Sequence, residues 1–159
     1  MANTMKNVGL FNAHYRITNH LVGGVEMQLN LTVNTVNKRI TGMAHITQAV
    51  NPPVNIISEI QGDFNYMCTM QSCSILVVAE GVSPFQPLIH DVPQVYKNLT
   101  LRMVLDENWQ KGVANYKYCI NNEWHEVTQA QVEIVNDNEI HNIEKLAATV
   151  RNTVKEPVV

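Results

Sequence analysis

Apolar and polar residues alternate strictly over long stretches of this chain, and the alternation predicts β-strands. Phe11, Ala13, Tyr15 and Ile17 interleave with Asn12, His14, Arg16 and Thr18. Val25, Met27, Leu29, Leu31 and Val33 interleave in the same way with Glu26, Gln28, Asn30, Thr32 and Asn34. A period of two sends successive side chains to opposite faces, so each segment has one face for a core and one for water. Asn19 to Gly24 reads as the connection between them, its glycines allowing positive φ.

The pattern recurs along the chain. After a turn at Asn37-Lys38, Ile40, Gly42, Ala44 and Ile46 share a face, and the small residues at 42 and 44 point to a close approach or a bend. Asn51-Pro52-Pro53 interrupts the alternation, because proline cannot donate to a ladder. Val54 to Ile60 resumes it, and Gly62-Asp63 is expected to be a turn before Phe64, Tyr66, Cys68 and Met70. Ile75 to Ala79 is apolar on both faces, which predicts a strand covered on both sides. Leu99, Leu101, Met103 and Leu105 form another strand, and residues 106–112 a polar hairpin connection carrying Trp109. Ala114, Tyr116, Tyr118 and Ile120 follow, then a tight turn at Asn121-Asn122 and a last strand from about Trp124 to Val135.

Residues 81–96 break the rhythm. Gly81, Pro84, Pro87 and Pro93 punctuate a long connection that also carries Phe85, Leu88, Ile89 and Tyr96. Loops of this length either serve a function or pack on their own apolar residues. At Asn136 the period changes to that of a helix. Ile140, Ile143, Leu146, Ala147, Val150 and Val154 trace one stripe, so an amphipathic helix is expected over about 137–153. It would cover an open barrel end, cap a sheet edge or pair subunits.

The reading is one domain over residues 1–159: mainly β, an antiparallel β-barrel or β-sandwich of roughly eight to nine strands (about 8–135) closed by one C-terminal α-helix. No β-α-β alternation suggests a parallel sheet. An apolar content of 45% and a charged fraction of 16% fit a packed globule. The net charge of −3, with basic residues scattered, leaves no basic stripe for nucleic acid. No apolar run approaches the roughly 20 residues that span a bilayer, and the first residues lack the apolar core of a signal peptide. The odd count of three cysteines (Cys68, Cys73, Cys119), with no CxxC, argues against a disulfide framework and for a reducing cytoplasm. Cys68 and Cys73 flank a short turn; as free thiols they would act as small apolar residues.

Candidate chemistry is sparse. The chain has no GxSxG elbow, GxGxxG, P-loop or HExxH, so nothing specific suggests an enzyme. His14, His20, His45, His90, His125 and His141 are widely separated and form no set with the ligand count zinc needs; no metal or other cofactor is expected. The aromatic residues are more suggestive. Tyr66, Tyr116 and Tyr118 fall on inward faces, Trp124 starts the next strand and Phe85 sits on the long loop. Together they are the candidate lining of a ligand cavity, with hydroxyls to orient what binds.

Several stretches resemble a known family: Gly9-Leu10-Phe11, Leu29 to Thr35, Ile46 to Pro53, Gly62 to Met67, and Ser74 to Val77. It is a small bacterial family catalogued only as a domain of unknown function. The resemblance covers about the first half of the chain, implies a shared fold and a bacterial origin, and carries no active site.

Two functions follow as expectations. One is a non-enzymatic binding module, a β-barrel holding a small, mostly apolar ligand with residues 81–96 as rim or lid. The other is an assembly protein, a homodimer or larger homo-oligomer built through sheet faces or the C-terminal helix. Polar faces rich in Asn, Gln and Thr support the latter, since they can be buried without the desolvation cost of ions.

Overall fold

The computed structural model describes residues 9–85 and 87–135; the helix expected over about 137–153 lies outside them. Ten strands run in chain order: β1 (Leu10–Thr18), β2 (Glu26–Asn34), β3 (Arg39–Gln48), β4 (Val54–Cys68), β5 (Cys73–Val82), β6 (Leu88–Ile89), β7 (Val92–Pro93), β8 (Lys97–Asp106), β9 (Lys111–Ile120) and β10 (Glu123–Ile134). Eight of them close an antiparallel barrel in the order β1-β10-β9-β8-β5-β4-β3-β2, while β6 and β7 form a separate two-stranded hairpin. Among the described residues there is no helix long and apolar enough to cross a membrane.

The alternation read from the sequence sets the inside and the outside. Phe11, Ala13, Tyr15 and Ile17 of β1 are buried, as are Met27, Leu29, Leu31 and Val33 of β2, and their polar neighbours face out. The register Ala13↔Leu31 and Tyr15↔Leu29 puts the two apolar rows side by side. An eight-stranded barrel is just wide enough for its interior to be filled by side chains, and here Ile, Leu, Val, Met and aromatic residues from every barrel strand meet in one core.

Three expectations change. Gly62-Asp63 is no turn: β4 runs through it as one strand, and the barrel closes with eight strands, within the eight to nine expected. Gly62 keeps the inward parity of Ile60 and Phe64 and lies against β5. A Cβ there would come 2.1 Å from the Val78 carbonyl oxygen, so the glycine permits a close strand approach. Cys68 and Cys73, directly opposite in the β4–β5 ladder, form a disulfide, and Cys119 is the free thiol among the described residues. The odd cysteine count is therefore one bridge plus one thiol and no longer argues for a reducing compartment. Residues 106–112 are also more than a polar connection, because Trp109 is fully buried.

The antiparallel order gives the barrel two unlike ends. The connections β2–β3, β4–β5 and β8–β9 lie at one, where Trp109 folds back over the bore. Phe11 and Phe64 meet its ring edge-to-face, with centroids 5.1 and 5.0 Å away. The Tyr15 hydroxyl donates to the Trp109 carbonyl oxygen at 2.7 Å. The connections β1–β2, β3–β4, β5–β8 and β9–β10 lie at the other end, beneath the long loop.

Candidate functional site at the long-loop end

The five residues expected to line a cavity occupy three different places. Tyr66 sits at the tryptophan end, where its hydroxyl accepts from Trp109 Nε1 at 3.4 Å and its ring stands edge-to-face on Phe64. Tyr116 and Tyr118, two apart on β9, both point into the barrel and are buried, their ring centroids 6.3 Å apart. Trp124 shares parity with the inward Ala130 and Val132 yet faces out, opposite Cys119. A β-bulge between Val127 and Ala130 accounts for this. Gln129 adopts positive φ there and its backbone N–H donates to Asn115 Oδ1 at 2.7 Å. The bulge inserts a residue and reverses which parity faces the core. Phe85 stands on the long loop, 73% exposed. Of the five, only Tyr116 and Tyr118 are brought together.

Inside the barrel Tyr116 and Tyr118 pack within the apolar core. The Tyr116 hydroxyl is buried without a hydrogen-bond partner. Burial, aided by the nearby Tyr118, pushes its phenol well above the ordinary tyrosine range. Tyr118 lies towards the long-loop end, stacked on the His125 ring at 5.3 Å, and burial raises its phenol as well.

The long-loop end itself is open and apolar. The β5–β8 excursion is tied at its base, where the Ser83 N–H donates to the Tyr96 carbonyl at 2.8 Å. From that base β6 and β7 project as a hairpin whose turn residues, His90 and Asp91, both have positive φ, the geometry of a type I′ turn. Leu88, Ile89, Val92 and Val95 on this hairpin are exposed, and so are Leu21, Val22 and Val50 on the neighbouring connections. Several exposed apolar side chains thus gather at one end of the barrel.

Between the excursion and the β9–β10 turn lies a concavity of about 360 Å³. Ile56, Phe85, Tyr96 and Ile120 give it apolar walls, and Asn98, Asn121 and Asn122 give it amides. Asn98 is held in place: its Oδ1 accepts from the buried Ser58 hydroxyl at 2.6 Å and its Nδ2 donates to the Ile57 carbonyl at 3.1 Å. Gly81 leaves room for that hydroxyl, since a Cβ there would lie 1.9 Å from Ser58 Oγ. Asn121 and Asn122 occupy the left-handed region, as their pairing in sequence predicts, and are exposed at the rim. The charged side chain on the lining is Lys97, which pairs with Glu80 at 3.2 Å. Chemically the concavity suits an apolar body with a few hydrogen-bonding groups at its edge.

Tyr96 and the two asparagines escaped the cavity reading because alternation identifies inward strand positions and these residues sit on connections; Ile120 shares the inward face of Tyr116 and Tyr118 and packs against the core beside the concavity. The available signal was the unusual apolar content of residues 81–96. Among the described residues no three His, Cys, Asp or Glu side chains gather in metal-binding array.

The model of a family described as "Domain of unknown function (DUF1842)" matches residues 8–124. No curated protein matches the chain.

Proposed function

We propose that this chain, which belongs to the DUF1842 family, is a non-enzymatic binding module that takes a small, mostly apolar ligand at the long-loop end of the barrel. The reading rests on one observation: Phe85 and Tyr96 are exposed aromatics facing a common concavity in a protein that buries most of its other aromatic rings. The filled interior supports placing the ligand at the rim and not in the bore. Residues 81–96 then serve as wall, and Asn121 and Asn122 as orienting groups.

A neutral apolar fluorophore, N-phenyl-1-naphthylamine, tests this. Burying a phenyl ring contributes roughly 1.5–3 kcal/mol, so Phe85→Ser should weaken probe binding by about tenfold or more, and Tyr96→Ser similarly. Leu10→Ser, at the opposite end, should leave it unchanged. Binding that ignores both aromatic substitutions would refute the site.

A second reading is a homodimer formed through the same end, favoured by the exposed apolar hairpin of β6 and β7. Native mass spectrometry separates the two readings. Ligand mass released on unfolding supports the first; a chain-mass doublet that Ile89→Asn abolishes supports the second.

A further inference from the structure

The barrel closes on a short seam. β1 pairs with β10 over four positions, Tyr15↔Ile134 to Thr18↔Gln131, whereas β1 pairs with β2, and β10 with β9, over nine each. Barrel strands tilt and stagger, and the stagger here gathers at the seam. β1 ends at Thr18 and turns away to β2, while β10 begins at Glu123, well before Gln131, its first partner on β1. Residues 123–127 are therefore held by β9 on one side. Among the described residues no strand pairs with their other side and no loop backbone bonds to it. The bulge ends this stretch, since Gln129 gives its N–H to Asn115 Oδ1.

An unpaired strand edge is a row of N–H and C=O groups, and what matches the whole row is another extended backbone. Natural edges are commonly blunted by proline or lysine; the stretch Glu123-Trp124-His125-Glu126-Val127 contains neither. Its side chains define what an added strand should carry. Trp124, 48% exposed, and Glu126 stand on the outer face, while His125 and Val127 stand on the inner one, where His125 stacks on Tyr118. Neither glutamate of the stretch is in an ion pair among the described residues. An aliphatic residue beside Val127 and a cation beside Glu126 fit these neighbours. A second copy fits poorly, because pairing the stretch with itself would gather four carboxylates on one short ladder with no lysine or arginine.

We propose that the seam edge of β10 at residues 123–127 is a strand-addition site for an extended segment of another protein, aliphatic at alternate positions and cationic between them. The edge shares no residue with the concavity walled by Phe85 and Tyr96, and it stands whether or not that concavity takes a ligand.

The probe is an acetylated and amidated hexapeptide alternating lysine and valine, with two twins N-methylated at every lysine or at every valine. A strand in the ladder turns one set of N–H groups to β10 and the other to solvent. One twin should therefore lose at least about tenfold in affinity for the full chain, and the other little. In hydrogen exchange read by NMR, the seam-facing amides of residues 123–127 should exchange rapidly in the free protein and at least about tenfold more slowly with about 1 mM peptide. Glu126→Lys should weaken the peptide by about fivefold, and Glu59→Lys, exposed on β4, should not. Absence of protection at that concentration, or tolerance of both methylations or of neither, would overturn the proposal. Slow exchange of every amide in the stretch without peptide would also overturn it. If that protection fades on dilution, a second copy occupies the edge; if it persists, the chain covers the edge itself.

Discussion

Two tyrosines inside the same barrel should respond to loss of their hydroxyls with opposite signs. Tyr15 and Tyr116 are both buried, but the Tyr15 hydroxyl donates to the Trp109 carbonyl at 2.7 Å and the Tyr116 hydroxyl has no partner. A typical buried hydrogen bond contributes about 0.5–1.5 kcal/mol, whereas stranding a polar group costs about 1–3 kcal/mol. Tyr15→Phe removes the bond and leaves the Trp109 carbonyl behind, so a loss of about 2 kcal/mol is expected. Tyr116→Phe removes an already stranded group and should stabilise by about 1 kcal/mol. The gap of about 3 kcal/mol between two chemically identical substitutions is well beyond the error of urea denaturation when the m-value is unchanged. In thermal terms each kcal/mol corresponds to about 2–4 °C for a chain of this size. If Tyr116→Phe instead destabilises by 1 kcal/mol or more, the hydroxyl is bonded in solution, and the account of the interior as packed and dry at that point is refuted.

Other consequences follow from the same barrel. In an unfolded chain tyrosine loses its proton near pH 10, while burial, and secondarily Asp106 near Tyr15 and Tyr118 near Tyr116, makes both folded phenols hold theirs to higher pH. Their contribution is complete below pH 10. Above it the unfolded chain binds fewer protons, and stability should fall by up to about 1.4 kcal/mol per pH unit for each; urea midpoints across this range should show the slope flattened in Tyr15→Phe/Tyr116→Phe, and an unchanged slope would count against the assignment. Gly112→Ala would place a Cβ 1.9 Å from the Val104 carbonyl oxygen and 2.9 Å from the Leu105 Cα, backbone atoms that cannot swing aside. It should cost about 3 kcal/mol or more, whereas Gly9→Ala, with nothing within 4 Å, should change stability by less than about 0.5 kcal/mol. Equal midpoints for the two alanine variants would show that β8 and β9 are not in such close approach.

The barrel was legible in the sequence because alternation is imposed by burial itself: every residue in Phe11, Ala13, Tyr15, Ile17 that the pattern sends inward is inward. Gly42 also behaves as its setting predicts, with a Cβ there reaching 1.8 Å from the Asn30 carbonyl oxygen. What periodicity could not carry was any event that changes its phase or leaves it. Gly62 looks like a turn residue because turns and close strand approaches both select glycine, and only the partner strand distinguishes them. The bulge at 127–130 reverses the inward parity of β10, so Trp124 matches Ala130 in sequence and opposes it in space.

The two loop aromatics show where the candidate site was hidden. Trp109 and Phe85 both sit in connections between strands, and local sequence does not separate their fates. Chain length does. Four residues, 107–110, join β8 to β9, and Trp109 takes φ 63° within that tight connection. Its side chain turns back over the bore, where Phe11 and Phe64 receive it. Fourteen residues, 83–96, join β5 to β8, and that excursion has length enough to form its own hairpin and hold Phe85 away from the core. The short connection therefore spends its aromatic ring on closing the barrel, while the long one leaves its ring facing solvent above a concavity. A Phe85 needed for the fold would have been drawn inward as Trp109 is. Its exposure beside Tyr96 is the reason to look for a ligand at that end.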